Sequence, residues 1–263
     1  MQKQQSTLIK QSLPMICGIL LDATFFVHNN RKLNVEEIRE YVNIINSFIR
    51  VLKEIHDNSS IFIIVYAGKS VFVKESDRGE LTISIAEAIK EVLNDKFLVN
   101  EPNLSSAMSL ALTTINKDGK LQPDIQKKII IVSTPFESSP KFIPLMNCVF
   151  AAQRIKTTID TIVLSVIETR CTFCQQASYL TNGIYNTATL QSLFPRLLSN
   201  NTSDCDTEKI IRVTGNQQPA IDWKLWCFHC KKPLDHGYVC SSCFGLYCEK
   251  QKGRCPTCGA YFE

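Results

Sequence analysis

Seven of the chain's twelve cysteines fall in its last thirty-seven residues: Cys227, Cys230, Cys240, Cys243, Cys248, Cys255 and Cys258. Three of the gaps are C-x2-C, a spacing that can present two thiolates to one metal ion. Zn²⁺ takes four sulfur or imidazole ligands in a tetrahedron, so two such pairs close a structural site with no position left for water. Cys240-Ser-Ser-Cys243 and Cys255-Pro-Thr-Cys258, with eleven residues between them, supply such a set. A segment of about forty residues rarely buries enough apolar surface to fold by itself, and a closed metal site provides the missing free energy. Residues 223–263 are therefore expected to form a small zinc-binding domain, with Phe244, Leu246, Tyr247, Tyr261 and Phe262 available to cover the metal.

Disulfides would require an oxidising compartment. Lys3 and Lys10 ahead of the apolar run Leu13 to Leu21 mimic a signal peptide, but Pro14 interrupts the run, Asp22 ends it and no A-x-A-like site follows. The run reads instead as a first buried strand, after a tail of residues 1–14. Hydrophobic residues make up 44% and charged residues 21% of the chain, a globular composition. No apolar run approaches the ~20 residues of a membrane helix. The net charge of +4 invites a nucleic-acid partner. From Lys224 onward, however, six basic residues against three acidic ones give +3, and four thiolates on one Zn²⁺ remove most of that. Contact with DNA is expected to be indirect or weak.

Between the tails, short apolar runs alternate with helical periodicity. Residues 16–22, 61–67, 128–133 and 159–165 read as core strands, and 184–186 as a shorter one. Val35, Ile38, Val42, Ile45, Ile49 and Leu52 recur at spacings of three and four, predicting a helix over 35–56. Asn34 stands at its N-cap position, with Glu36 and Glu37 in its first turn. Further helices are predicted over 82–98, 104–116, 145–156, 168–181 and 189–199, and a hairpin edge strand over 70–74. A loop containing Pro135, Pro140 and Pro144 follows the strand at 128–133. Strands alternating with helices imply an α/β domain over 15–199, a doubly wound, mostly parallel sheet covered on both faces. The polar stretch beginning at Asn200 predicts a linker over 200–222.

Several segments resemble a known family. Pro144-Leu145-Met146-Asn147-Cys148-Val149-Phe150-Ala151-Ala152-Gln153, Ile159-Asp160, Cys174-Gln175-Gln176-Ala177, Thr181-Asn182-Gly183-Ile184-Tyr185 and Gly237-Tyr238-Val239-Cys240-Ser241-Ser242-Cys243 are similar to the small von Willebrand A-type, zinc-finger-bearing subunits of the general transcription and repair factor TFIIH. The resemblance covers about residues 15–263 and is loosest in the first hundred. It implies a von Willebrand A-like first domain and a non-catalytic scaffold role in RNA polymerase II initiation and nucleotide excision repair. It also implies a nuclear location, pairing with the larger von Willebrand A-type, zinc-binding subunit, and assembly around the core helicases.

Von Willebrand A domains can hold Mg²⁺ through a D-x-S-x-S motif after the first strand, helped by oxygens from later loops. Here Asp22 and Thr24 fit, but Phe26 has no oxygen, and Ser133-Thr134-Pro135 lacks the later Asp. Ser105 and Ser106 could replace a later hydroxyl. The motif is degenerate and no Mg²⁺ is expected. No G-x-S-x-G, G-x-x-x-x-G-K or H-E-x-x-H motif is present, and the histidines His28, His56, His229 and His236 are scattered. Cys171-Thr-Phe-Cys174 reads as a buried structural pair rather than a redox site. The chain is therefore read as neither an enzyme nor a small-molecule binder.

Cys227, Cys230 and Cys248 remain for a second zinc. In a cross-braced, RING-like arrangement they would share one metal, but Gln251 stands where the eighth ligand belongs. His229 or His236 is the remaining candidate, and the residues leave this open. A RING-type ubiquitin ligase with a von Willebrand A-like substrate-binding domain is the competing function.

Overall fold

The computed structural model describes residues 14–26, 35–56, 59–73, 81–93, 103–119, 125–136, 142–165, 171–201, 225–230, 232–250 and 252–262. The N-cap expected at Asn34, Lys74 of the edge strand, residues 94–98 and 168–170 of two expected helices, Pro140, His28 and most of the expected linker lie outside them.

Strand β1 (Met15–Asp22) is buried along its whole length, as the centre of a sheet covered on both faces must be. A short 3-10 turn (Ala23–Phe26) follows, then helix α1 (Val35–Ile55), strand β2 (Ser60–Tyr66), strand β3 (Ser70–Val73) and helices α2 (Leu81–Leu93) and α3 (Leu104–Gly119). Strand β4 (Gln126–Ser133), helix α4 (Phe142–Arg154), strand β5 (Thr158–Leu164), helix α5 (Thr172–Leu180), strand β6 (Tyr185–Ala188) and helix α6 (Leu190–Asn201) complete the domain. The strand order is β3-β2-β1-β4-β5-β6, with β3 antiparallel to β2 and every other pair parallel. This is the doubly wound, mostly parallel α/β sheet that the alternating pattern predicts, and it fits the von Willebrand A-like fold that the resemblance implies.

The alternation of β1 sorts its side chains between two cores. Met15, Cys17, Ile19 and Leu21 pack with α1, α2 and α6, while Ile16 and Leu20 pack with α3, α4 and α5. Gly18 leaves room on the sheet for Phe62, whose ring would lie 2.6 Å from any added Cβ.

Helix α4 begins at Phe142, so Pro144 lies in its first turn and not in the expected loop. A proline is tolerated there because the N–H it lacks would have no partner within the helix. Helix α6 continues through Asn201, taking two residues expected in the linker.

Across β4 and β5 runs a buried ion pair. Lys128 Nζ lies 2.8 Å from Asp160 Oδ2, with the side chains 3% and 1% exposed. Two neighbours feel the pair. Burial, and then the Lys128 charge, hold the His56 imidazole below its usual value, and burial pushes the Cys17 thiol up to about 12.

The C-terminal segment is built from two-residue strands: β7 (Leu225–Trp226), β8 (Pro233–Leu234), β9 (Tyr238–Val239), β10 (Leu246–Tyr247), β11 (Gly253–Arg254) and β12 (Tyr261–Phe262). They pair as three small antiparallel ribbons, β7 with β8, β9 with β10 and β11 with β12. No described helix is long and apolar enough to cross a membrane.

Candidate metal centres

Each C-x2-C pair in the tail sits in the same backbone turn. The N–H of the first cysteine donates to the carbonyl five residues on: Cys227 to Lys232 at 2.9 Å, Cys240 to Gly245 at 2.9 Å and Cys255 to Ala260 at 2.7 Å. In two of the turns the N–H four positions past the first cysteine donates back to that cysteine's carbonyl, Phe244 to Cys240 and Gly259 to Cys255. That fourth position needs a left-handed backbone, supplied by Gly259 at φ 75° but by Phe244 at φ 57°.

These turns bring the thiols into two clusters, one of Cys240, Cys243, Cys255 and Cys258 and one of Cys227, Cys230 and Cys248. In the first, Sγ atoms lie 3.8 Å apart for Cys240–Cys258 and 3.7 Å for Cys243–Cys255. In the second, Cys227–Cys248 is 3.7 Å and Cys230–Cys248 is 3.6 Å. These distances are far beyond a disulfide's ~2.05 Å. They match the ~3.8 Å edge of a tetrahedron whose metal–sulfur bonds are ~2.3 Å. Both clusters can therefore bind a metal. The first and third ligand groups share one site and the second and fourth share the other, which is the cross-braced arrangement. Among the described residues, neither His229, His236 nor any Asp or Glu joins the three-cysteine cluster.

The protein prepares one thiol in each cluster for ionisation. Burial opposes ionisation of Cys255, but the Tyr247 hydroxyl and the amides of Cys258 and Thr257 outweigh it and bring the thiol to about 6. At Cys227 burial is likewise outweighed, by the amides of Cys230, Cys248 and His229, again giving about 6. Burial, then the neighbouring thiols, push Cys243 to about 12, and the hydrogen bonds that the Cys248 S–H shares with Cys230 and Cys227 hold its proton and push it to about 11.

Tyr247 holds the first cluster together. Its hydroxyl is 3.1 Å from Cys255 Sγ and 2.6 Å from Thr257 Oγ1, and its ring meets that of Phe228 edge-on. The cover expected from Phe244 and Tyr261 does not form, since both rings are mostly exposed and Tyr261 lies under the Arg254 guanidinium.

At the C-terminal edge of the sheet, Asp22 is 1% exposed and its carboxylate accepts five hydrogen bonds from the protein. The Thr24 N–H and hydroxyl donate to Oδ1 at 2.8 and 2.6 Å. The Thr134 N–H and hydroxyl and, at 3.4 Å, the Ser133 hydroxyl donate to Oδ2. Ser105 turns its hydroxyl to Asn103, and Ser106 is exposed. Burial, and then the Asp22 charge, keep the Tyr41 and Tyr66 phenols well above their ordinary range. Cys171 and Cys174 are buried across the first turn of α5, as a structural pair would be.

The sequence segments singled out in the first domain converge on one corner. Thr181 accepts the Ile159 N–H, Asp160 Oδ1 accepts the Ile184 N–H at 2.7 Å, and Gln153 Nε2 donates to the Leu180 carbonyl. Asn182 takes a left-handed turn, and a Cβ on Gly183 would lie 1.8 Å from the Ile159 carbonyl oxygen, so only glycine fits.

Residues 71–259 match the family model described as "Transcription factor Tfb4". The chain is 31% identical over 186 residues to general transcription factor IIH subunit 3 of Dictyostelium discoideum, covering 71% of this chain and 49% of that protein. It is 34% identical over 169 residues to the general transcription and DNA repair factor IIH subunit TFB4 of Yarrowia lipolytica, covering 61% and 49%. The chain thus spans about half the length of the curated relatives it matches. Among solved structures, the TFIIH p34 N-terminal domain superposes with a TM-score of 0.56 at 22% identity, covering 72% of this chain and 98% of that one, a likeness of fold.

Proposed function

The chain belongs to the transcription factor Tfb4 family, and from that premise we propose that it is a scaffold subunit of TFIIH, acting in transcription initiation and nucleotide excision repair. The observation that carries the reading is a family match that runs through both the sheet domain and the cysteine clusters. Its function is interface, not chemistry. The partners are the larger von Willebrand A-type, zinc-binding subunit and, through it, the core helicases. Contact with DNA is indirect or weak, no small-molecule substrate or membrane is involved, and the site of action is the nucleus.

The chain divides at about residues 200–222 into a sheet domain, 15–199, and a zinc domain, 223–263. Cys240, Cys243, Cys255 and Cys258 hold a structural Zn²⁺, the ion that four thiolates at tetrahedral spacing fit. The Mg²⁺ position is not used, because protein donors already take both Asp22 oxygens.

The cross-braced pairing favours a second reading, a RING-type ubiquitin ligase, although among the described residues one of its two sites has only three ligands. Affinity purification of the tagged chain from its own cells separates the two. Recovery of TFIIH core subunits is expected, and recovery of ubiquitin-conjugating enzymes with no TFIIH subunit would establish the ligase instead.

A further inference from the structure

The three-cysteine cluster repeats the geometry of its neighbour and stops one ligand short. Its two Sγ–Sγ distances, 3.7 and 3.6 Å, are those of a tetrahedral edge. The N–H groups of Cys230 and Cys248 lie 3.5 and 3.4 Å from Cys227 Sγ, where they stabilise negative charge on sulfur. Three residues past the first cysteine, the other three ligand groups carry a second cysteine, whereas Cys248 is followed at that spacing by Gln251. Among the described residues no histidine or carboxylate fills the gap. Cys230 and Cys248 are exposed, against Cys258 alone in the other cluster, so the site can be reached from solvent.

We propose that Cys227, Cys230 and Cys248 hold a second zinc ion whose fourth position is open, filled by water and available to a thiolate or imidazole from outside the chain. The proposal rests on the tail being a zinc domain and adds to it a site of different chemistry. Four thiolates make a closed structural site, whereas three protein ligands leave a position where ligands exchange. Binding an external thiol there releases the water and passes the thiol proton to solvent. The open ion is also the more weakly held. Loss of an outer-shell partner alone costs about 10–100-fold in metal affinity, and a missing thiolate should cost no less.

The test uses the full chain. Elemental analysis should find two zinc ions per chain, falling to one in Cys248→Ser. Cobalt(II) exchanged into the protein should show two environments, one with four thiolates and one with three. A small external thiol or imidazole should shift only the second. Gln251→Cys restores the missing ligand, so it should abolish that shift and slow release of the second zinc to a chelator by about tenfold or more. One zinc per chain, unchanged in Cys248→Ser, overturns the proposal while leaving the four-thiolate site intact. Two cobalt ions that both show four thiolates also overturn it. A chain without zinc would sink the zinc domain as a whole.

Discussion

The sheet domain and the tail are folded by different forces. In the first domain, six strands bury aliphatic side chains on both faces against two sets of helices. In the tail, the buried cluster among the described residues is three cysteines and one tyrosine, Cys227, Cys240, Cys255 and Tyr247. Apolar burial at roughly 25 cal/mol per Å² sustains the first without help. Nothing comparable is found among the described residues of the second, whose two cysteine clusters can bind a metal; on the proposed zinc reading, thiolate–metal bonds replace the core. The two regions should therefore fail under different insults.

The sharpest separation is Cys255→Ser or metal removal. Structural zinc contributes on the order of 10 kcal/mol in zinc-finger peptides, comparable to a whole domain's stability. Amide exchange should show residues 225–262 losing all protection while β1 and β4 keep theirs. A tail that stays protected in metal-free protein would show that it has a core of its own.

The converse insult is Lys128→Met, which leaves Asp160 charged and unpaired in the core. Breaking one half of a buried pair costs about 3–5 kcal/mol. Thermal unfolding should report that loss in the sheet domain, with the zinc content unchanged. The double variant Lys128→Met/Asp160→Leu should recover much of it, although the Ile184 N–H then loses its acceptor. Acid should act on the same region. His56 is held below its ordinary value of about 6.5, so the unfolded chain takes up the proton first and stability falls as pH drops below that value. In His56→Gln this part of the pH dependence should vanish.

The contrast between the regions was legible in the residues to different depths. The three-and-four spacing from Val35 to Leu52 and the unbroken apolar runs specify α1 and the central strands, because each pattern is local and has one period. The C-x2-C turns of the cysteine clusters were legible for the same reason, since that spacing is a local geometry. The Lys128–Asp160 pair was not, because it depends on the register of two strands separated by a helix. Nor was the engagement of Asp22 by Thr134, a residue 112 positions away. Expecting Phe244 and Tyr261 to cover the metal failed because aromatic identity says nothing about the side of a tight turn a ring occupies.

Asp22→Ala tests whether the degenerate motif belongs to the structural side of the contrast. The substitution orphans buried donors on Thr24 and Thr134, and unsatisfied buried groups cost about 1–3 kcal/mol. Stability should drop by about that much. Calorimetric titration of the unsubstituted chain with Mg²⁺ should show no binding, and recovery of partner subunits should be unaffected by a chelator selective for Mg²⁺. A metal-dependent interaction abolished by the substitution would make Asp22 a ligand after all.

The smallest effect concerns Phe244, which the tail holds at φ 57° where the matching turn has Gly259. A bulky residue there costs about 1–2 kcal/mol relative to ordinary backbone, and asparagine tolerates it better. The ring is 69% exposed, so packing within the chain returns little of that cost. Phe244→Asn should therefore raise protection of residues 238–247 by up to about 1 kcal/mol without changing the zinc content. Gly259→Ala at the equivalent place should lower protection by a similar amount. If Phe244→Asn instead loosens the tail, the ring makes a stabilising contact despite its exposure, and the tail would be less dependent on metal than its sister turn implies. If it tightens the tail but weakens recovery of partner subunits, the strain is kept for a contact that only the assembled complex makes.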